Sequence, residues 1–422
     1  MRIKKSRNQI RKLLPKQMIP RVISFNNQAG MVRQLRDIKV DEYGIKIMSP
    51  KANSFLIKIN SVPSICANIL KQEMLSLGGD VAISRQSITG KEKNTPCLII
   101  GNNVQLKRLI GKLRMQPFRL DEVGRQLDRV IANYKKDRFH LKCGKYSLNI
   151  KDKTLIMGII NVTEDSFSGD GIFSKSESNR CLEKIVLQKA EQMIKEGAAI
   201  LDIGAESSRP GSRPIDKKNE AKRLAVCLKA LVKEFKVPIS VDTYKPEVAK
   251  VVLDLGASII NDISGLRSIK MRKLLSRHSA GVVIMHMKGT PRTMQKNPRY
   301  DSLIDEIVSF LSSAINSAAD FGISSDRIIV DPGIGFGKTL GHNLEILRNL
   351  KEFKVLGMPI LLGVSRKSFL GKILGVEPQQ RVFGTAAAVA MSIRDGANIL
   401  RVHDVKQIKQ TISVCNAIIG NN

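Results

Sequence analysis

The stretch TLIMGIINV (Thr154–Val162) decides the fold, because the chain repeats its kind seven more times before it ends. It is apolar almost throughout and β-branched, and it finishes on an amide, Asn161, ahead of a polar loop. A strand buried on both faces reads this way, where a half-exposed strand would alternate. Runs of the same character follow at Ala199–Glu206, Val237–Thr243, Ser258–Ser264, Gly281–Met287, Arg327–Phe336, Pro359–Lys367 and Ile399–Val405. Between them lie amphipathic stretches. Ser178–Glu196 and Asn219–Phe235 carry apolar residues at helical spacing, and Lys245–Leu255 opens with Pro246 in its first turn and stops at Gly256. Eight strand–helix units over about 260 residues match a TIM (β/α)8 barrel, an α/β fold. An open doubly wound sheet usually has fewer strands and one glycine-rich turn, whereas here all eight runs end on polar residues.

Working upstream, FHLKCGKYSLNI (residues 139–150) reads as a hairpin turning at Cys143–Gly144 and placed to plug the barrel's bottom, so the barrel is expected over 138–422. Residues 39–137 read as a small α+β N-terminal domain of unreadable role. In it, Ser61 is expected to cap a helix with Pro63 in its first turn, running to Gly78–Gly79. Asp80–Ser84 and Cys97–Ile100 are expected strands, with helices over Val104–Met115, capped by Asn103, and over Leu120–Tyr134. Residues 1–38 are expected to form a basic arm, flexible or loosely docked. Its first 36 residues hold ten basic side chains and no acid, a transit-peptide-like bias. Because the whole front third is basic, a bacterial or archaeal cytoplasmic chain is the expectation.

The chain has 422 residues, 42% hydrophobic, and no run approaching the length needed to span a bilayer. Six scattered cysteines, with no Cys-x-x-Cys, argue for reduced thiols and against a zinc site or a disulfide framework. Of the formal net charge of +32, residues 1–150 carry +20 and the rest +12. Such a field attracts polyanions, nucleic acid among them. No nucleic-acid-binding motif accompanies it, and compositional bias is the reading preferred.

In a barrel the C-terminal strand ends face one mouth. Read in order they are Asn161, Asp202/Glu206, Asp242, Asn261–Asp262, His286, Asp331, Arg366–Lys367 and Arg401-x-His403–Asp404. Packing alone does not account for eight such ends, since an unpartnered buried polar group costs about 1–3 kcal/mol. The acceptors Asp242, Asn261 and Asp331 suit a flat heterocycle rich in N–H groups. The cations Lys367, Arg401 and His403, with Asn161, suit an anionic leaving group such as diphosphate, with Mg²⁺ bridging its oxygens. Nothing resembles a nucleophile elbow, so covalent catalysis is not expected.

The blocks MGIINVTEDSFS (157–168), DIGAESSRPGS (202–212), SVDTYKPEVA (240–249), IINDISG (259–265), MHMKGTP (285–291), DPGIGFGKT (331–339), GVSRKSFLG (363–371) and RVHDV (401–405) resemble, in order, those of dihydropteroate synthases of folate biosynthesis. The resemblance covers about residues 138–420. It implies condensation of p-aminobenzoate with 6-hydroxymethyl-7,8-dihydropterin diphosphate, giving 7,8-dihydropteroate and diphosphate. It implies that Asp242, Asn261, Met285, Asp331, Gly363 and Lys367 hold the pterin. Asn161, Arg401 and His403 would hold the diphosphate, Asn161 also being the Mg²⁺ ligand. Ser208, Arg209, Phe336 and Ser368 would surround the aminobenzoate, where sulfonamides compete. Asp242, Asp331, Lys367, Arg401 and His403 are the implied catalytic set, and a homodimer through barrel helices is implied. Glu164 stands where proline is common in the family, which frees loop one and adds a charge to it, and Ser208 replaces a common threonine. A pterin-binding methyltransferase barrel is the nearest rival, but it has no need of the Ser365–Ser368 and Arg401-x-His403 cluster.

Overall fold

The computed structural model describes residues 21–25, 28–151, 153–163, 179–206 and 215–419. Glu164, Ser208, Arg209 and most of the basic arm lie outside them. The chain divides into two compact units, Met1–Arg125 and Gln126–Asn422.

In the first unit, helices Gln28–Asp37 and Glu42–Ala52 precede a three-stranded antiparallel sheet. The long strand Ser54–Pro63 is one edge, Asn94–Asn102 the centre and Asp80–Ile83 the other edge. The first of these corrects the sequence reading: Ser61 caps no helix but lies within the strand, and the helix starts at Ser64 with Pro63 as its N-cap. Strand Ser54–Pro63 is hidden in the sequence because the outward-facing Leu56 weakens its alternation and the Ser61-x-Pro63 signal lies inside it. A second correction is the cap of helix Asn103–Leu113. Asn102, not Asn103, accepts the N–H groups of Val104 and Gln105, and the Gln105 side chain returns the bond. The helix expected over Leu120–Tyr134 spans Leu120–Lys135.

The second unit is the barrel. Its strands are β1 (Leu155–Asn161), β2 (Ile200–Gly204), β3 (Ile239–Asp242), β4 (Ile259–Asp262), β5 (Gly281–Met285), β6 (Ile328–Asp331), β7 (Leu361–Leu362) and β8 (Ile399–Val402). All pair in parallel in the order β6-β5-β4-β3-β2-β1-β8-β7, and a parallel bridge between Val330 and Ile360 joins the two ends of that order. Outside the strands, helices bury Leu182, Val186, Leu224, Leu228, Val248, Val252, Ile307 and Leu311 in one continuous apolar layer. Inside, at the N-terminal end, Met157, Ile200, Ile259, Val283, Ile329, Leu361 and Ile399 form a separate cluster. The hairpin Phe139–Cys143/Tyr146–Ile150 caps it by inserting Leu141, Cys143 and Ile150, and the Gly144 N–H donates to Ser279 O. The barrel is therefore sealed below, and its polar strand ends look upward only.

Candidate active site

Three strand ends meet through one guanidinium. Arg401 on β8 donates from Nε and Nη2 to Asp202 Oδ2 on β2, at 2.7 and 2.6 Å, and from Nη2 to Asp242 Oδ2 on β3 at 2.9 Å. Asp202 is fully buried, and its second oxygen has no protein partner. Burial pushes the Asp242 carboxyl up to about 7, against the pull of Arg401 and with repulsion from Asp202. Burial alone would lower the Arg401 guanidinium, but the two carboxylates outweigh it and hold the group above its ordinary value.

Across the mouth, Asn261 on β4, Met285 on β5 and Asp331 on β6 are all buried. Met285 belongs to a small apolar cluster with Ile263, Met287 and Met294, flanked by Tyr244 and Phe336. This gives a flat ligand an apolar wall beside the acceptors. Asp331 Oδ1 accepts the Gly333 N–H at 2.6 Å. Burial raises its carboxyl, while that N–H and the nearby Lys367 and Lys338 pull it back. Lys367 donates to Ile334 O, and its Nζ lies 4.4 Å from the centre of the Phe336 ring. Burial lowers its ammonium to about 8, against the attraction of Asp331.

The turn after β7 is bent by Arg366, whose φ of +57° is unusual for a side chain of its size. The strained residue is tied down on every side. Its guanidinium forms a two-point pair with Asp404 at 3.0 and 2.6 Å, its N–H reaches Thr385 Oγ1, and its carbonyl accepts from Arg381. This turn brings Ser365 to 3.0 Å from His403 Nδ1, and Ser365 Oγ also accepts the His403 N–H. His403 is thereby held at both its ring and its backbone by Ser365. Gly363 is buried next to Arg401, and Ser368 is exposed at the start of helix Ser368–Leu374.

Of the residues singled out from the sequence, Asn161, Asp242, Asn261, Met285, Asp331 and Arg401 sit at the C-terminal ends of their strands, and Phe336, Gly363, Lys367, Ser368 and His403 in the segments that follow β6, β7 and β8. Asn161 is half-buried at the end of β1. Ser208 and Arg209 fall outside the described residues. Sequence reasoning leaves the partners of three side chains unassigned. Asp202 reads only as a strand end, although it shares Arg401 with Asp242. Ser365 orients His403. Lys245 joins Glu206 and Glu220, with its Nζ 2.5 Å from Glu220 and 2.7 Å from Ile215 O. The spacing of a strand end shows that a side chain faces the mouth, not which side chain from another strand it will meet. Asp262 is a different case: its two oxygens accept the N–H groups of Ser264 and Leu266, so it shapes a turn.

Comparison with known proteins agrees with this geometry. Residues 157–403 match the family described as pterin binding enzyme. The dihydropteroate synthase of Synechocystis sp. is 41% identical over 268 residues, 63% of this chain and 90% of its own. A Helicobacter pylori protein named bifunctional dihydropteroate synthase/dihydropteroate reductase is 33% identical over 404 residues, 94% of this chain and 99% of its own. The crystal structure of the Yersinia pestis dihydropteroate synthase in a sulfonamide drug complex superposes with a TM-score of 0.63 at 37% identity, covering 67% of this chain and all of that one. With residues 157–403 matching that family and relatives of this kind aligned over most of their own length, the chain belongs to the pterin-binding enzyme family, among its dihydropteroate synthases.

Proposed function

We infer that the barrel condenses p-aminobenzoate with 6-hydroxymethyl-7,8-dihydropterin diphosphate to give 7,8-dihydropteroate and diphosphate. The observation that carries this reading is the division of the mouth. The acceptors Asn261 and Asp331, both buried, and Asp242, which is partly buried, line one part, and Arg401, which also holds Asp242, stands with His403 at the end of β8, the side assigned to the anion. In the proposed reaction the C–O bond to diphosphate breaks first, the neutral arylamine attacks the resulting pterin methylene cation, and the new C–N bond is left neutral when the amine nitrogen gives up one proton to water or to the departing diphosphate. Asp242 and Asp331 face the developing positive charge as fixed negative groups in a site of low dielectric, where such preorganised charge is most effective. Lys367 and Asn261 orient the ring, and Arg401 and His403 receive the departing diphosphate. Phe336 and Ser368, with Ser208 and Arg209, are assigned to the aminobenzoate. The sulfonamide complex of the Yersinia pestis enzyme supports a pocket of that kind.

Asn161 is the proposed protein ligand of Mg²⁺. Among the described residues no cluster of three or more His, Cys, Asp or Glu side chains can hold a metal ion. A single neutral amide oxygen fits a magnesium that takes its other ligands from substrate diphosphate and water. When bound, the ion neutralises charge on the leaving group.

Diphosphate release that requires both substrates is the expected result with purified protein and Mg²⁺. Methyl transfer from methyltetrahydrofolate to a corrinoid protein would overturn the reading. A second activity, reduction of the product, is proposed because the Helicobacter pylori relative matches 94% of this chain and so most of the front unit as well. With a reduced nicotinamide or flavin supplied, the product is expected to be two hydrogens heavier than 7,8-dihydropteroate. Its absence with both donors ends that proposal. A homodimer is proposed through helices Val382–Arg394 and Val405–Ile419, which expose Phe383, Met391, Val414 and Ile418. A cytoplasmic location is proposed from the pathway; no helix among the described residues is long and apolar enough to cross a membrane.

A further inference from the structure

Between β6 and helix Leu340–Arg348 the chain crosses the mouth as an irregular loop, with Gly333, Gly335 and Gly337 at φ of +73°, +82° and +65°. Backbone of this kind belongs to no helix or sheet, so something else must satisfy its polar groups and hold it in place. Side chains do so. Asn343 Oδ1 accepts the Gly335 N–H at 2.7 Å, Gln295 donates to Gly335 O at 2.7 Å, and Tyr300 donates to Gly337 O at 2.8 Å.

A further support is Lys338, 3% exposed and as buried as Asn343. Its side chain folds back beneath the loop, and Nζ lies 3.0 Å from Phe336 O, 3.0 Å from His286 Nδ1 and 3.4 Å from His286 O. His286 follows β5, on the neighbouring strand, and is itself wedged edge-on against Phe310. Burial, then Lys338, pushes its imidazole down to about 2, so it stays neutral and able to accept. The loop and the end of β5 are packed without slack, since a Cβ on Gly333 would collide with His286 O.

An apolar side chain would fill this place at lower desolvation cost than a lysine. What the amine adds is a fixed distance between the loop and β5. The loop presents two things to the mouth: Ile334 O, which accepts from Lys367, and the Phe336 ring, over which the same ammonium sits. We propose that Lys338 is a positioning residue for the condensation, tying the loop to His286 so that Phe336 and Lys367 stand where aminobenzoate and pterin meet. The proposal rests on the assignment of Phe336 to the aminobenzoate and Lys367 to the pterin.

Steady-state kinetics and thermal melts of four variants test it. Phe336→Ala checks the assignment by itself and is expected to raise the aminobenzoate KM about tenfold. Lys338→Met keeps the stem and removes the donor; it is expected to raise the same KM at least tenfold while kcat changes less than threefold. Loss of folding integrity alone would lower the active fraction and the melting temperature without moving KM. His286→Leu is expected to raise the aminobenzoate KM in the same way. His286→Asn keeps an acceptor near the position of Nδ1 and is expected to raise it several-fold less than His286→Leu. This pair of histidine variants decides the matter if Lys338→Met does not accumulate as folded protein. A folded Lys338→Met with wild-type KM values, or a His286→Asn as impaired as His286→Leu, overturns the role of Lys338. An unchanged aminobenzoate KM in Phe336→Ala overturns the site assignment instead.

Discussion

The same eight strands end in opposite ways. Toward the N-terminal ends of seven of them Met157, Ile200, Ile259, Val283, Ile329, Leu361 and Ile399 close over one another above the hairpin, a packed apolar plug with Leu141 at 1% exposure. At their C-terminal ends the chain gathers Asp202, Asp242, Asn261, Asp331, Lys367 and Arg401, several of them as buried as the plug. The lower end minimises free energy by excluding water from hydrocarbon. The upper end keeps charges out of water at a cost, and burial raises the carboxyls of Asp242 and Asp331. Stability and catalysis are thus assigned to different ends of the same strands, which is a testable division.

The largest effect is expected from Arg401→Ala. It strands two mostly buried carboxylates and removes a proposed diphosphate contact, so kcat/KM is expected to fall by about 10³-fold or more. Stability should fall by about 3–5 kcal/mol, as when one partner of a buried pair is lost; denaturant unfolding and initial rates check both. This is the one substitution expected to damage both functions of the fold at once. Leu141→Ala should cost stability alone, about 2–5 kcal/mol for a large-to-small change in a packed core. Its kcat and KM are expected to be those of the parent well below the unfolding transition. A changed KM would show that the plug speaks to the mouth.

Lys367→Ala is expected to reduce kcat/KM for the pterin diphosphate by about 10–100-fold, in line with a charged hydrogen bond worth about 1.5–3 kcal/mol. Calorimetry should show diphosphate binding far less affected; equal losses of both would break the division of the mouth into heterocycle and anion sides. The smallest effect is a pH profile. Asp242, raised to about 7, carries its negative charge and accepts through both oxygens only when ionised, so activity should fall as pH drops through that value. Lys367, lowered to about 8, donates as an ammonium, so activity should fall again as pH rises through it. A narrow bell in kcat/KM is expected, since that ratio reports the free enzyme. In Asp242→Asn the acid limb should disappear; its persistence would assign it to another group.

The barrel is legible in the sequence because buried parallel strands such as TLIMGIINV cannot alternate, and because their polar ends recur at regular intervals. Much of the candidate site is legible for the same reason. Illegible are pairings across the mouth: Asp202 and Arg401 are 199 residues apart and their pairing leaves no local pattern. The edge strand Ser54–Pro63 escapes a local reading because turn chemistry around Ser61 and Pro63 outweighs a weak alternation. Pairing with Asn94–Asn102, which lies about forty residues downstream, decides that segment instead.

The hairpin plug has one further consequence. Cys143 sits inside it at zero exposure, with burial pushing its thiol up to about 12, and Cys227 is equally buried in the outer helical layer with a thiol raised to about the same value. Alkylation requires an exposed thiolate, so neither can react without local or global opening. The two thiols are therefore a pair of built-in clocks, one beneath the strands and one outside them. Equal labelling rates would mean that the barrel opens as a single cooperative body, and a faster Cys227 that its helices peel away while the sealed inner layer stays shut.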